Sequence, residues 1–167
     1  MLTTLTQEYL KKKVHYNPET GVFTWLWVFT RGKHRTGFRA GSLSNKHGYR
    51  SIVIDGVAYK EHRLAWLYVY GRWPANILDH INGDRADNRI SNIRLATRKL
   101  NAENRRNPIT GHSTGFMGVV WRGRLKKYEA RIHVDKKYVY LGLYDTPEAA
   151  HAAYLCAKRA EHEGCTI

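Results

Sequence analysis

Asp79-His80-Ile81-Asn82-Gly83-Asp84, continuing through Asp87-Asn88-Arg89-Ile90-Ser91-Asn92-Ile93-Arg94 to Asn101, is the stretch on which the reading of this chain turns. An acid stands beside a histidine, ahead of a polar turn and two well-spaced asparagines. Carboxylate and imidazole side by side offer a ligand for a hard cation and a base that can activate water. Asn82-Gly83-Asp84 and Asp87-Asn88 are turn formers, and they predict two short strands joined by a loop. Thr97 to Arg106 reads as a helix carrying Asn101. Strand, loop, strand and helix in that order would fold back to bring Asn101 beside Asp79. Singly, each part is ordinary: an Asp-His pair is usually a surface turn, Asn92 suits a turn or a cap, and Asn101 suits an exposed helix face.

Taken in order, the set resembles the HNH endonuclease family, the ββα-metal or His-Me finger nucleases. Asp79-His80 match the acid–histidine pair at the end of the first strand, and Asn92 matches the middle asparagine. Asn101 matches the last position, which is histidine in some members and asparagine in others. Upstream, Glu61-His62-Arg63-Leu64-Ala65-Trp66 and Gly71-Arg72-Trp73-Pro74 look like the helix and turn that precede the motif in phage-type members. The resemblance implies a metal-dependent endonuclease of phage or homing type that hydrolyses phosphodiester bonds. In it Asp79 and Asn101 would hold one divalent cation, Mg²⁺ or Mn²⁺. His80 would be the general base, and Asn92 would fix the loop that orients it. Arg85, Arg94 and Arg98 are candidates for positioning the nucleic-acid backbone.

Charge points the same way. The 167 residues include 28 Lys+Arg against 14 Asp+Glu, a formal charge of +14, with a pI near 10.0. That excess favours a polyanionic partner, nucleic acid before a membrane, and the nuclease resemblance implies double-stranded DNA. Charge alone also suits an RNA-binding or ribosome-associated protein. No run of about twenty apolar residues occurs, so no membrane span is expected. Met1-Leu2-Thr3-Thr4 lacks a basic n-region followed by an apolar core, so no signal peptide is expected. Cys156 and Cys165 are too few for a zinc ribbon and are expected as free thiols. A monomer in the cytoplasm of a bacterial or phage-infected cell is the expected setting.

The predicted fold class is α+β. Residues 1–60 form a β-rich module, with a short helix at Leu5–Val14, a turn at Tyr16–Gly21, a strand over Val22–Phe29 and a basic loop over Arg31–Arg39. Tyr49–Ile54 and Val57–Lys60 flank Asp55-Gly56, a two-residue hairpin signal. A helix over His62–Tyr70 and the ββα-metal core complete a nuclease domain of residues 1–106. His62 would bind an internal carbonyl or contact nucleic acid. Polar residues 107–114 are the predicted linker.

Beyond the linker, Phe116–Trp121, Tyr128–Val134 and Lys137–Leu143 read as three strands. Thr146-Pro147 begins a helix as cap and first residue. Gly118-Val119, Tyr128 to His133, and Tyr140-Leu141-Gly142-Leu143-Tyr144-Asp145-Thr146-Pro147-Glu148-Ala149-Ala150 carry a second likeness. Over residues 115–164 the chain resembles the APETALA/ethylene-response-factor DNA-binding domain, a three-stranded antiparallel sheet packed on one helix. Arg131 stands where plant members usually have glutamate, and Val120 where they have arginine, so a plant-like sequence preference is not implied. Period-two alternation turns Tyr128, Ala130, Ile132 and Val134 toward the helix and Glu129, Arg131 and His133 away from it. With Arg122 and Arg124 on one face of the first strand, and Tyr138 and Tyr140 on the third, this gives a basic, aromatic face suited to DNA. The predicted DNA-binding residues are Arg122, Arg124, Arg131, His133 and Tyr140. The competing reading of the whole chain is a non-catalytic DNA-binding regulator with a decayed nuclease core.

Overall fold

A computed structural model describes residues 5–27, 29–30, 33–34, 36–43, 48–108 and 113–167. The fold is α+β with several small antiparallel sheets, and the chain divides into two compact units, Met1–Thr97 and Arg98–Ile167.

In the first unit, α1 (Gln7–Lys13) starts where the Thr6 side chain accepts a bond from the Tyr9 amide. Glu8 in its first turn and Lys11 to Lys13 in its last complement the helix dipole. The chain then enters β1 (Val14–Asn17), which pairs antiparallel with β2 (Val22–Trp25). The single strand predicted over Val22–Phe29 is thus two: the chain bends at Leu26 and Trp27, and β3 (Phe29–Thr30) pairs instead with β4 (Lys33–His34). Part of the predicted Arg31–Arg39 loop is therefore strand, and Arg39 bridges to Thr24. Met1 to Thr4, Val28, Arg31, Gly32 and Arg35 lie outside the described residues.

Next come β5 (Ser42–Leu43), β6 (Arg50–Ile54) and β7 (Val57–Lys60), in that order across one sheet. As the Asp-Gly pair predicts, β6 and β7 are joined at Asp55 (φ 49°) and Gly56 (φ 82°), both left-handed. Helix α2 (Glu61–Tyr70) stops at Gly71, whose φ of 73° lets its N–H reach back to the Leu67 carbonyl. It presents Leu64, Ala65, Trp66 and Leu67 to a core that includes Leu10, Val14, Tyr16, Phe23, Ile52 and Ile54. Each large aliphatic or aromatic side chain buried there contributes roughly 1.5–3 kcal/mol. From this core emerge β8 (Ile77–His80) and, after a polar loop and a single 3₁₀ turn at Ile90–Asn92, β9 (Ile93–Ala96). They pair antiparallel with Asp79 opposite Arg94 and His80 opposite Ile93, the two short strands the sequence predicts.

The second unit begins with α3 (Arg98–Glu103), shorter than the predicted Thr97–Arg106. Six residues cannot hold a helix alone. The C-terminal segment holds it: the Gly164 amide donates to Glu103 (3.0 Å), Thr166 Oγ1 to Asn104 (2.6 Å) and Arg106 to the Thr166 carbonyl (2.9 Å). The compact units therefore part at Thr97/Arg98, ahead of the expected linker, of which residues 109–112 lie outside the described residues.

Strands β10 (Val119–Arg122), β11 (Lys127–Val134) and β12 (Lys137–Tyr144) form a three-stranded antiparallel sheet, with α4 (Pro147–Glu161) packed on it. Val119, Ala130 and Ala150 form its buried centre, flanked by Phe116, Tyr128, Leu141 and Tyr144. Thr146 caps α4 by accepting from the Ala149 amide (3.2 Å), with Pro147 as the first helical residue. The first strand starts later than predicted, because Phe116–Gly118 form a turn. Arg124 is not on that strand at all: it lies in the β10–β11 turn. A bulge shifts the β11–β12 register between Ala130, opposite Gly142, and Arg131, opposite Tyr140. Both cysteines are free.

Candidate active site

Strand β8 ends on its two chemical residues. Asp79 and His80 are 7% and 4% exposed, because the loop and β9 fold back over the strand end. Facing Asp79 across the pair, Arg94 donates from Nε (3.1 Å) and Nη2 (2.9 Å) to the same carboxylate oxygen, Oδ2. His80 Nε2 lies 3.1 Å from Asn88 Oδ1. Two other rings wall the imidazole: His62, edge-on with centroids 5.1 Å apart, and Tyr49, tilted at 5.9 Å. Tyr49 in turn lies beneath the Arg85 guanidinium (5.0 Å) and the Lys60 ammonium (5.6 Å).

Burial pushes the His80 pKa down, against the opposing pull of the Asn88 bond, which favours the unprotonated ring that a base requires. His62 is affected more strongly: burial, aided by His80 and by Arg63 and Lys60, drives its pKa down to about 3. Its Nδ1 is buried without a hydrogen-bond partner. His62 thus packs as a wall of the site.

Asn92 clamps the loop. Its Oδ1 accepts from the Asn82 amide (2.9 Å), and its Nδ2 donates to Asn82 Oδ1 (3.0 Å) and to the Asp87 carbonyl (2.8 Å). Asp87 also takes a bidentate bond from Arg89 (2.9 and 2.6 Å). Asp79, His80 and Asn92 thus gather in the first unit. Asn101 is exposed on α3, which belongs to the second.

Sequence reasoning passed over Asn88 and Glu61. Asn88 is 1% exposed, and its Nδ2 donates to Glu61 Oε2 (3.0 Å). Glu61, fully buried at the start of α2, takes a bond from Arg50 Nε (3.2 Å) and lies 3.6 Å from Arg39 Nη2. Burial raises the Glu61 pKa, and the two guanidiniums oppose that rise. An acid and its cation eleven residues apart, across a hairpin, is the only hint of this in the sequence.

In the second unit, Arg131, His133 and Tyr140 share one sheet face with Tyr138. The Arg131 guanidinium sits 4.6 Å over the Tyr138 ring, His133 lies 5.0 Å from the same ring, and Tyr140 is 61% exposed. Arg122 does not add a bare charge to this face, since Glu129 holds it in a bidentate ion pair (2.7 and 2.8 Å).

Residues 59–103 match the family model for HNH endonucleases. The matched segment contains α2, β8, the Asn92 loop, β9 and Asn101. Over 70 residues the chain is 39% identical to an uncharacterized HNH endonuclease of Acanthamoeba polyphaga mimivirus, an alignment covering 37% of this chain and 18% of that relative. The chain thus spans under a fifth of the length of the curated relative it matches. No solved structure matches it. No helix among the described residues is long and apolar enough to cross a membrane.

Proposed function

We propose that this chain is a metal-dependent DNA endonuclease of the phage or homing type, hydrolysing phosphodiester bonds with His80 as general base. The observation that carries this reading is the placement of His80: buried, held through Nε2 and adjacent to a buried carboxylate. In this reading β8, β9 and α3 are the ββα-metal element. Asp79 and, by the HNH pattern, Asn101 are the cation ligands.

The donor chemistry fits a hard cation. A carboxylate and an amide oxygen suit Mg²⁺ or Mn²⁺, and such sites use one or two protein carboxylates with substrate phosphate completing the sphere. A closed cage is not needed, and among the described residues no group of three His, Cys, Asp or Glu forms one. When bound, the cation neutralises charge on the phosphate and on the departing oxygen. The chain's own residues do the rest. His80 takes a proton from the attacking water, Asn92 holds the loop beside it, and Arg85 supplies positive charge for the backbone. The Arg131–His133–Tyr140 face of the second unit is the proposed DNA contact.

The Arg94–Asp79 ion pair favours a second reading, in which the carboxylate is occupied and the chain only binds DNA. Incubating the full chain with supercoiled plasmid, with and without Mg²⁺, separates the two. Nicked or linear product that vanishes with EDTA supports the nuclease; a mobility shift without cleavage supports the binder.

A further inference from the structure

We infer that Glu61 and Asn88 are positioning residues that fix which nitrogen of His80 carries its proton, through the chain Arg50–Glu61–Asn88–His80. The inference rests on the endonuclease reading for its catalytic consequence.

Each link constrains the next. The Glu61 carboxylate, bonded to Arg50 and facing Arg39, is an acceptor only. The Asn88 group 3.0 Å from it must therefore be the NH₂, which turns Oδ1 toward His80. A carbonyl oxygen donates nothing, so the His80 nitrogen 3.1 Å away, Nε2, must bear the hydrogen. The basic lone pair is then on Nδ1, and that atom receives the proton from water. Flipping the Asn88 amide would set an oxygen against the Glu61 carboxylate with both groups buried. Such an unmade bond costs about 1–3 kcal/mol, more beside a charge.

The surroundings leave Asn88 little freedom. Its carbonyl accepts from the Tyr16 hydroxyl (2.7 Å). A Cβ on Gly21 (φ 70°) would collide with the backbone of Asn88 and Arg89, and a Cβ on Gly41 (φ 81°) with Glu61 Oε1. Two left-handed glycines thus let two loops close over the pair.

The test reads the ring directly. Full-length protein labelled with ¹⁵N-histidine gives the His80 tautomer from two-bond ¹H–¹⁵N correlations, taken above the ring's titration, with His80→Ala to assign the signals. The expected result is the Nε2–H form in the parent and a mixture of forms in Glu61→Gln, whose amide no longer dictates the Asn88 orientation. Plasmid cleavage by Glu61→Gln and Asn88→Ala should show kcat reduced roughly 10–100-fold, with KM for DNA unchanged. An Nδ1–H tautomer in the parent overturns the inference, and that measurement needs no variant to fold. An unchanged tautomer together with unchanged kcat in folded Glu61→Gln overturns it as well. An Nε2–H parent that shifts to a mixture in Glu61→Gln but cleaves nothing supports the positioning role and overturns the endonuclease reading instead.

Discussion

Removing one oxygen atom from Tyr16 measures how firmly the loop beneath His80 is held. The Tyr16 ring is 2% exposed, and its hydroxyl reaches the Asn88 carbonyl at 2.7 Å. Burial drives its pKa up, so the hydroxyl remains a donor at any usable pH. Tyr16→Phe keeps the ring against Phe23 (centroids 4.6 Å) and Tyr68 (5.6 Å), so no large cavity opens. What is lost is the donor to a buried carbonyl, a cost of about 1–3 kcal/mol. For a unit of this size each kcal/mol lowers Tm by ~4–8 °C, so a fall of roughly 5–20 °C is expected. Tyr9→Phe is the control. The Tyr9 hydroxyl makes a bond of the same 2.7 Å length, to Asp55, but Tyr9 is 40% exposed. Water replaces that bond, and the change should stay within ~0.5 kcal/mol. Thermal and urea unfolding of the full chain compare the parent and both variants. If Tyr16→Phe and Tyr9→Phe unfold alike, the buried bond does not stabilise the loop and the reasoning fails.

Three further outcomes follow from the same geometry. His80→Ala should lose ~10²–10⁴-fold in plasmid cleavage with DNA affinity kept, and Asp79→Ala should need more Mg²⁺; near-parental turnover, or superimposed Mg²⁺ titrations, would remove the corresponding assignment. His62→Phe should blunt acid sensitivity. Below the ordinary 6.5 the unfolded chain's imidazole binds a proton that the buried ring, with its pKa near 3, refuses. Parent stability therefore falls between those limits as pH drops, by an amount on the order of a few kcal/mol, and levels off beneath them. Glu61, whose raised pKa acts in the opposite sense, is common to both proteins and cancels, so urea midpoints with equal pH slopes would refute this. In the second unit, Arg131→Ala should weaken DNA binding and reduce the salt slope by ~0.9, whereas Tyr140→Ala should weaken binding without changing the slope. Affinities across a salt series that match the parent for both would exclude that face.

Much of the architecture was legible in residues close together in the chain. Asp55-Gly56 announced its hairpin because Asp and Gly readily adopt the two left-handed positions of a tight hairpin turn. Thr146-Pro147 announced α4, because a hydroxyl cap and a residue lacking an N–H both suit a helix start. The order Asp79-His80, Asn92, Asn101 marked the nuclease-like segment, which the family model also covers. Local patterning could not say that the strand after Val22 would break at Leu26, since aromatic and β-branched residues favour β structure on both sides of the bend. Nor could it tell that α3 would tie to the C-terminus, that Arg124 would fall in a turn, or that Glu129 would neutralise Arg122. The largest omission was Asn88 and Glu61, whose partners lie far off in sequence: Glu61 is 27 residues from Asn88, and Tyr16 is 72. Turn and cap preferences act within a few residues and leave a trace in composition. A buried charge and the amide it orients are paired only when separate elements pack, so the sequence determined the elements and the motif, and tertiary structure decided which side chains hold the histidine in place.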